Sequence, residues 1–181
     1  GVTTTYYGSD DQNPPKRAGR GVFLARFPEI RSIDVATFAQ YRIYLAAPLF
    51  SNAERIYNLS LANLLKEHLF EVYLPQEAGD DSDTRLKIEQ EQIFKKNKDD
   101  LDRADIVVAV IDGADADSGT AWEMGYAYAH NKPVIAIRTD FRRAGIHEQV
   151  NLMLEESSKV VSSTIELLEE VKSPLIGKRD L

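Results

Sequence analysis

Apolar residues fall in short runs separated by longer amphipathic stretches. The run from Arg42 through Ile43, Tyr44, Leu45 and Ala46 to Ala47 stops at Pro48, as a buried parallel strand does. Ser51 with Glu54 three residues on then has the form of a capping box. Ile56, Leu59, Leu64, Leu65 and Leu69 recur at helical spacing, which predicts a helix over 52–69. Phe70 to Leu74 reads as a second strand ended by Pro75, followed by a polar loop over 79–83. A longer helix is predicted over about 84–103. Within it Ile93, Asn97 and Asp100 share one face, with Phe94 and Leu101 beside them. Polar residues on an inward stripe need a partner or a ligand; the alternative puts Asn97 and Asp100 at its solvent edge.

The most apolar run, Asp105 to Ile111, predicts a central strand. An acidic loop with Asp112, Gly113, Asp115 and Asp117 leads from it into a helix that Lys132-Pro133 closes. Val134 to Ile137 is a fourth strand, 138–147 a charged loop, 149–156 a short helical piece and 158–161 a fifth strand. Ser163 and Glu166 cap a last helix to about 172. Strands alternating with helices predict an α/β fold, a doubly wound parallel sheet of five strands with helices on both faces. In the flavodoxin-like order 2-1-3-4-5 the switch point lies between strands one and three, and ligands bind there at the carboxyl ends. Residues 46–50 and 112–123 are the segments placed there.

Residues 1–41 differ from the body. They carry Gly8, Asn13, Pro14, Pro15, Gly19 and Gly21 among scattered Lys and Arg, a composition of loops. They read as a flexible or tag-derived leader, or as an ordered extension in which Val22 to Ala25 and Ile33 to Phe38 dock on the body. Gly1 in place of Met fits a processed or tag-derived end. The body, 42–181, is expected to be one domain, since 181 residues suit a single unit of ordinary size.

Composition narrows the chemistry. Hydrophobic residues make up 43% and charged residues 28%, the balance of a soluble globular protein. No apolar run approaches the ~18 residues a membrane span needs, and no signal sequence opens the chain. A net charge of −7 argues against binding a nucleic-acid polymer and leaves a single nucleotide open. The chain has no cysteine, which removes disulfides and thiolate catalysis and fits a cytoplasmic enzyme. No dinucleotide-binding, Walker or nucleophile-elbow motif is present. The aspartates of 112–117 fail the EF-hand spacing, and His68, His130 and His147 show no metal-ligand spacing.

Carboxylates remain. Glu123 lies near the start of its helix, where free N–H groups and the helix dipole favour an ionised carboxylate. Such a group can attack an electrophilic carbon. Thr120 with Glu123 equally matches a capping box, and the pattern alone does not choose between these roles. Asp117 can point into the same cleft or cap the same helix. Gly119 and Gly125 permit close backbone approach. Two acidic groups dividing the work of nucleophile and proton handler are the common means of cleaving a glycosidic bond.

Four segments together resemble the nucleoside 2-deoxyribosyltransferase family. They are Arg42 to Phe50, Asp100 to Ala109, Asp117 to Ala127 and Lys132 to Val134, within a likeness over about 42–155. The resemblance implies a flavodoxin-like fold and transfer of 2-deoxyribose between nucleobases of 2′-deoxyribonucleosides. It implies Glu123 as nucleophile, forming a covalent deoxyribosyl-enzyme that a second base resolves with net retention. It further implies Asp117 and Asp100 holding the base and managing its proton, Tyr44 near the nucleophile, and Phe50 lining the base site. Asn151 and Met153 resemble a segment that a neighbouring subunit lends to the pocket, which implies a homo-oligomer, a dimer or a hexamer of dimers. No metal or organic cofactor is implied. Loss of the base from a deoxyribosyl group is eased by the missing 2′-hydroxyl, and acid assistance adds about 10²–10⁴-fold.

Two other readings compete. One is an N-glycoside hydrolase of (deoxy)nucleoside 5′-monophosphates, whose relatives hold phosphate near the first strand–helix turn. Here that turn, Ala46 to Ser51, is apolar and aromatic, which favours a nucleoside. The other is a nucleotide-sensing module without turnover, which would have no need of both Glu123 and Asp117.

Overall fold

The computed structural model describes residues 41–78 and 87–176. The leader 1–40 and its docking segments, the loop 79–83 and the expected helix start at 84 lie outside the described residues. Five strands form one parallel sheet: β1 (Arg42–Ala46), β2 (Glu71–Tyr73), β3 (Ile106–Val110), β4 (Val134–Ile137) and β5 (Lys159–Val161). Their order is β2-β1-β3-β4-β5, the flavodoxin-like arrangement expected from the alternation. Every pairing is parallel, so each crossover carries a helix or a long connection. The helices are α1 (Asn52–Glu67), α2 (Lys87–Arg103), α3 (Ser118–Ala129), α4 (Leu152–Glu156) and α5 (Thr164–Ile176). A 3-10 turn, Pro75–Ala78, follows β2 and was not foreseen from the sequence.

The two-residue period of the strands sorts their side chains into two cores. Ile43, Leu45, Ile106, Val108, Ile135 and Ile137 face α1 and α5, meeting Leu61, Leu65, Leu167 and Val171. Tyr44, Ala46, Val107, Ala109 and Ala136 face the other way, toward Leu101 of α2 and Met124 and Ala127 of α3. On that second face Ala46, Ala109 and Ala136 stand in register across the three central strands. Their methyl groups let α3 lie close over β1, β3 and β4.

Helix ends follow the local chemistry. The Ser51 side chain accepts the Glu54 N–H, and Glu54 reaches back to the Ser51 N–H at 2.7 Å, so the expected capping box is formed. At the far end of α2 the Lys132 ammonium donates to the carbonyls of Asp102 and Ala104, which satisfies orphan acceptors of the last turn. Among the described residues no helix is long and apolar enough to cross a membrane.

Candidate active site

Beside Tyr44 of β1, between α2 and α3, lies a cleft of about 300 Å³ lined by Tyr44, Phe94, Asn97, Lys98, Leu101, Gly119, Trp122 and Glu123; of the segments 46–50 and 112–123 expected there, only the last part contributes. The order of the sheet puts its switch point between β1 and β3, and the cleft takes Tyr44 from β1 and Gly119, Trp122 and Glu123 from the helix that follows β3. Tyr44 rises from the floor and α3 supplies one wall. The opposite wall is α2, through Phe94, Asn97, Lys98 and Leu101. These positions recur at i, i+3, i+4 and i+7, a helical face rotated by one residue from the stripe through Ile93, Asn97 and Asp100 expected from the sequence.

The Tyr44 hydroxyl donates to Glu123 Oε1 at 2.6 Å. Burial pushes the Glu123 carboxyl up to about 7; the Tyr44 hydrogen bond pulls it down and the charge of Asp117 pushes it up further. The expectation that the helix start favours an ionised Glu123 thus meets an opposing effect, since burial favours the protonated form. The capping-box reading of Thr120 and Glu123 is corrected. Asp117 is the N-cap of α3, accepting the Thr120 N–H at 3.0 Å, while Glu123 sits in the second turn and turns to Tyr44. Asp117 therefore both starts the helix and places a negative charge beside the nucleophile candidate. Gly119 fits this arrangement, since a Cβ there would come within 3.1 Å of the Asp117 carboxylate.

The loop carrying Asp117 is bolted to its neighbour. Asp112 accepts the N–H groups of Thr139 and Asp140 and the Thr139 hydroxyl. Buried Arg138 donates to the carbonyls of Ile111, Gly113 and Arg142. Asp140 accepts the Gly113 N–H at 3.2 Å and pairs with Arg142, which holds its carboxyl below the usual range. Gly113 adopts φ 114, a conformation that disfavours a side chain.

The remaining sequence candidates lie elsewhere. Asp100 is one turn beyond Asn97 and outside the cleft lining; it pairs with Lys96 at 3.4 Å and Arg103 at 3.2 Å. Phe50 is 78% exposed beyond the end of β1. Asn151 caps α4 by accepting the Met153 N–H, and Met153 is 75% exposed, so neither lines the cleft of its own chain. Sequence reasoning did not assign Trp122, Lys98 or Tyr73 to the site. Tyr73 stacks on Tyr44 with ring centroids 5.4 Å apart. The register Tyr44↔Tyr73 of β1 and β2 carries that signal, but it becomes readable only once the strands are paired.

The family model for nucleoside 2-deoxyribosyltransferase matches residues 43–163, a span that holds both cleft walls and the floor. The chain belongs to the nucleoside 2-deoxyribosyltransferase family. Among solved structures it is similar to a conserved protein from Enterococcus faecalis V583, with 32% identity over 74% of this chain and 98% of that one and a TM-score of 0.63. A 2-deoxyribosyltransferase from the psychrotolerant bacterium Bacillus psychrosaccharolyticus is 26% identical over 70% of this chain and 89% of its own, with a TM-score of 0.61. A 2-desoxiribosyltransferase from Leishmania mexicana shares the fold at 23% identity, over 72% of this chain and 95% of its own, with a TM-score of 0.58. A comparison with curated proteins gives no significant match. Membership of the nucleoside 2-deoxyribosyltransferase family makes this an enzyme acting on nucleosides.

Proposed function

We propose that the protein transfers 2-deoxyribose between nucleobases by double displacement through Glu123. The observation that carries this is the 2.6 Å bond from the Tyr44 hydroxyl to Glu123 Oε1 at the cleft. Tyr44 orients the carboxylate by one oxygen and leaves Oε2 for attack on C1′. As the Glu123–C1′ bond forms, the C1′–N bond breaks and its electron pair leaves with the base. A second base then attacks C1′ and returns the carboxylate, so two inversions give retention. We assign Asp117 to the base and its proton. Asp100 is assigned a place behind the cleft wall, through Lys96. No metal or organic cofactor enters this scheme.

Lys98 is the one cation on the cleft wall among the described residues, and Asp102 holds it at 2.8 Å. A neutralised cation suits an uncharged nucleoside better than a 5′-monophosphate. The deciding experiment supplies thymidine or deoxyinosine with adenine and follows products by chromatography. Deoxyadenosine is expected. Free deoxyribose alone, or turnover only of monophosphates, would establish the hydrolase instead.

The Tyr44→Phe variant tests the assignment through pH. The nucleophile is the ionised form, so kcat/KM is expected to fall on the acid side near pH 7 in the wild type. Tyr44 lowers the Glu123 pKa, so its removal moves that acid limb to higher pH and the variant loses more activity at pH 6 than at pH 8. An unmoved limb would sever Tyr44 from the nucleophile.

We further propose that Asn151 and Met153 complete the cleft of a neighbouring subunit. Both are exposed and away from their own cleft. A native mass above the monomer is expected, with Asn151→Ala raising KM for the nucleoside. A fully active monomer would remove this role.

A further inference from the structure

A second cavity, of about 290 Å³, lies at the carboxyl ends of β4 and β5 and shares no lining residue with the cleft. Arg138 directly follows β4 and Ser162 directly follows β5. The Arg138 N–H donates to the Val161 carbonyl at 2.9 Å, which ties the two strand ends together. Arg142 and Arg143 line the cavity from the loop after β4. Three guanidinium groups thus meet a single carboxylate, that of Asp140, in a chain whose net charge is −7.

The three cations differ in how far they are neutralised. Arg142 is paired with Asp140. Arg138 is buried, and its terminal nitrogens donate only to carbonyls. Its Nε is buried without a hydrogen-bond partner, and among the described residues it has no carboxylate partner. Carbonyl dipoles satisfy N–H groups but leave the unit charge in place. A buried charge with no counter-charge beside it is costly, and an anion in the cavity would supply one. Arg143 is exposed and makes no hydrogen bond or ion pair among the described residues.

We propose that this second cavity binds a phosphate dianion, either inorganic phosphate or the phosphate of a monoester. The two positive charges left over, on Arg138 and Arg143, match the two negative charges of the ligand. The planar guanidinium fork suits phosphate oxygens better than a lysine ammonium does. The site is distinct from the cleft and does not depend on which reaction the cleft performs.

Isothermal titration calorimetry of the full chain in low-salt buffer free of other oxyanions tests it. Sodium phosphate and thymidine 5′-monophosphate are the two probes, with Glu123→Gln used for the nucleotide so that no heat of turnover enters. One phosphate per chain is expected. Arg143→Gln alters an exposed side chain, so Tm should stay unchanged while binding weakens by about 10–100-fold. Asp140→Asn keeps an acceptor for the Gly113 N–H and frees Arg142, so it should tighten binding by about 10-fold. A merely structural role for Asp140 would give no such gain. Saturating thymidine on Glu123→Gln should leave the affinity for inorganic phosphate as it was, because the cleft is elsewhere. Equal affinity for the two probes identifies the ion itself as the ligand. Tighter binding of the nucleotide, weakened by Arg143→Gln, identifies the monoester. No binding of either probe at millimolar concentration, binding indifferent to Arg143→Gln and Asp140→Asn, or displacement of phosphate by thymidine overturns the site.

Discussion

Glu123→Gln is expected to yield a protein that is more stable than the wild type and nearly without turnover. The amide can still accept the Tyr44 hydroxyl, so the cleft keeps its geometry. It cannot form a glycosyl ester at a useful rate, and loss of a nucleophile lowers turnover by roughly 10³–10⁶-fold. The stability gain follows from the carboxyl's folded-state pKa of about 7 against an ordinary 4.5. Below pH 4.5 the group is protonated in both states and contributes nothing. Between 4.5 and 7 the unfolded chain ionises first, so the wild type loses stability as pH rises; above about 7 the loss is complete. The Gln variant escapes that loss. Its advantage is therefore absent near pH 4 and full at pH 8, at about 3 kcal/mol before screening by cleft solvent reduces it. Guanidinium melts of both proteins at the two pH values measure it. A gain equal at both pH values would mean that burial of charge is not its source. Mass spectrometry of the wild type with nucleoside should show the mass of one added deoxyribosyl group, lost in the variant.

The second large effect is expected away from the cleft. Arg138→Met should destabilise the fold by about 3 kcal/mol or more, because the side chain is buried and its guanidinium serves three carbonyls. Methionine fills similar space and leaves those acceptors without a donor. Two of them, on Ile111 and Gly113, belong to the loop that delivers Asp117. The variant is therefore expected to lose affinity for the base as well as Tm, by roughly 10 °C in a domain of this size. Calorimetry checks the first effect and the KM for the acceptor base the second. A Tm within a degree or two of wild type would show that Arg138 is not a clamp.

The fold was legible because its signals are local. Pro48 and Pro75 stop strands, Ser51 and Glu54 form the capping box seen in the structure, and the uninterrupted apolar run to Ile111 suits a strand covered on both faces. Glu123 and Tyr44 were legible as a pair only through the family likeness, since 79 residues separate them. The α2 wall was read one residue out of phase. Stripes through 93 and 94 differ by a single helical step, and Asn97 lies on the edge of both, so the pattern cannot say which side faces inward. Packing decides it: Leu101 is buried and lines the cleft, and Asp100 is turned to Lys96 and Arg103. The helix start left two readings open for a similar reason. Either Asp117 or Thr120 can begin a helix, and only the position of the loop bolted by Arg138 selects the earlier one.

The row formed by Ala46, Ala109 and Ala136 has a consequence for how such an enzyme can change. Three methyl groups act as a spacer between the sheet and α3, and the reach from the Tyr44 phenol to Glu123 is measured from that spacer. A Val or Ile at any of the three would thicken the layer and lift Glu123 from the Tyr44 hydroxyl, although none of them lines the cleft. Descendants of this sequence can thus forfeit the reaction through a swap of one apolar residue for another in the interior. Two relatives with identical cleft linings are then expected to differ in activity where this methyl row differs.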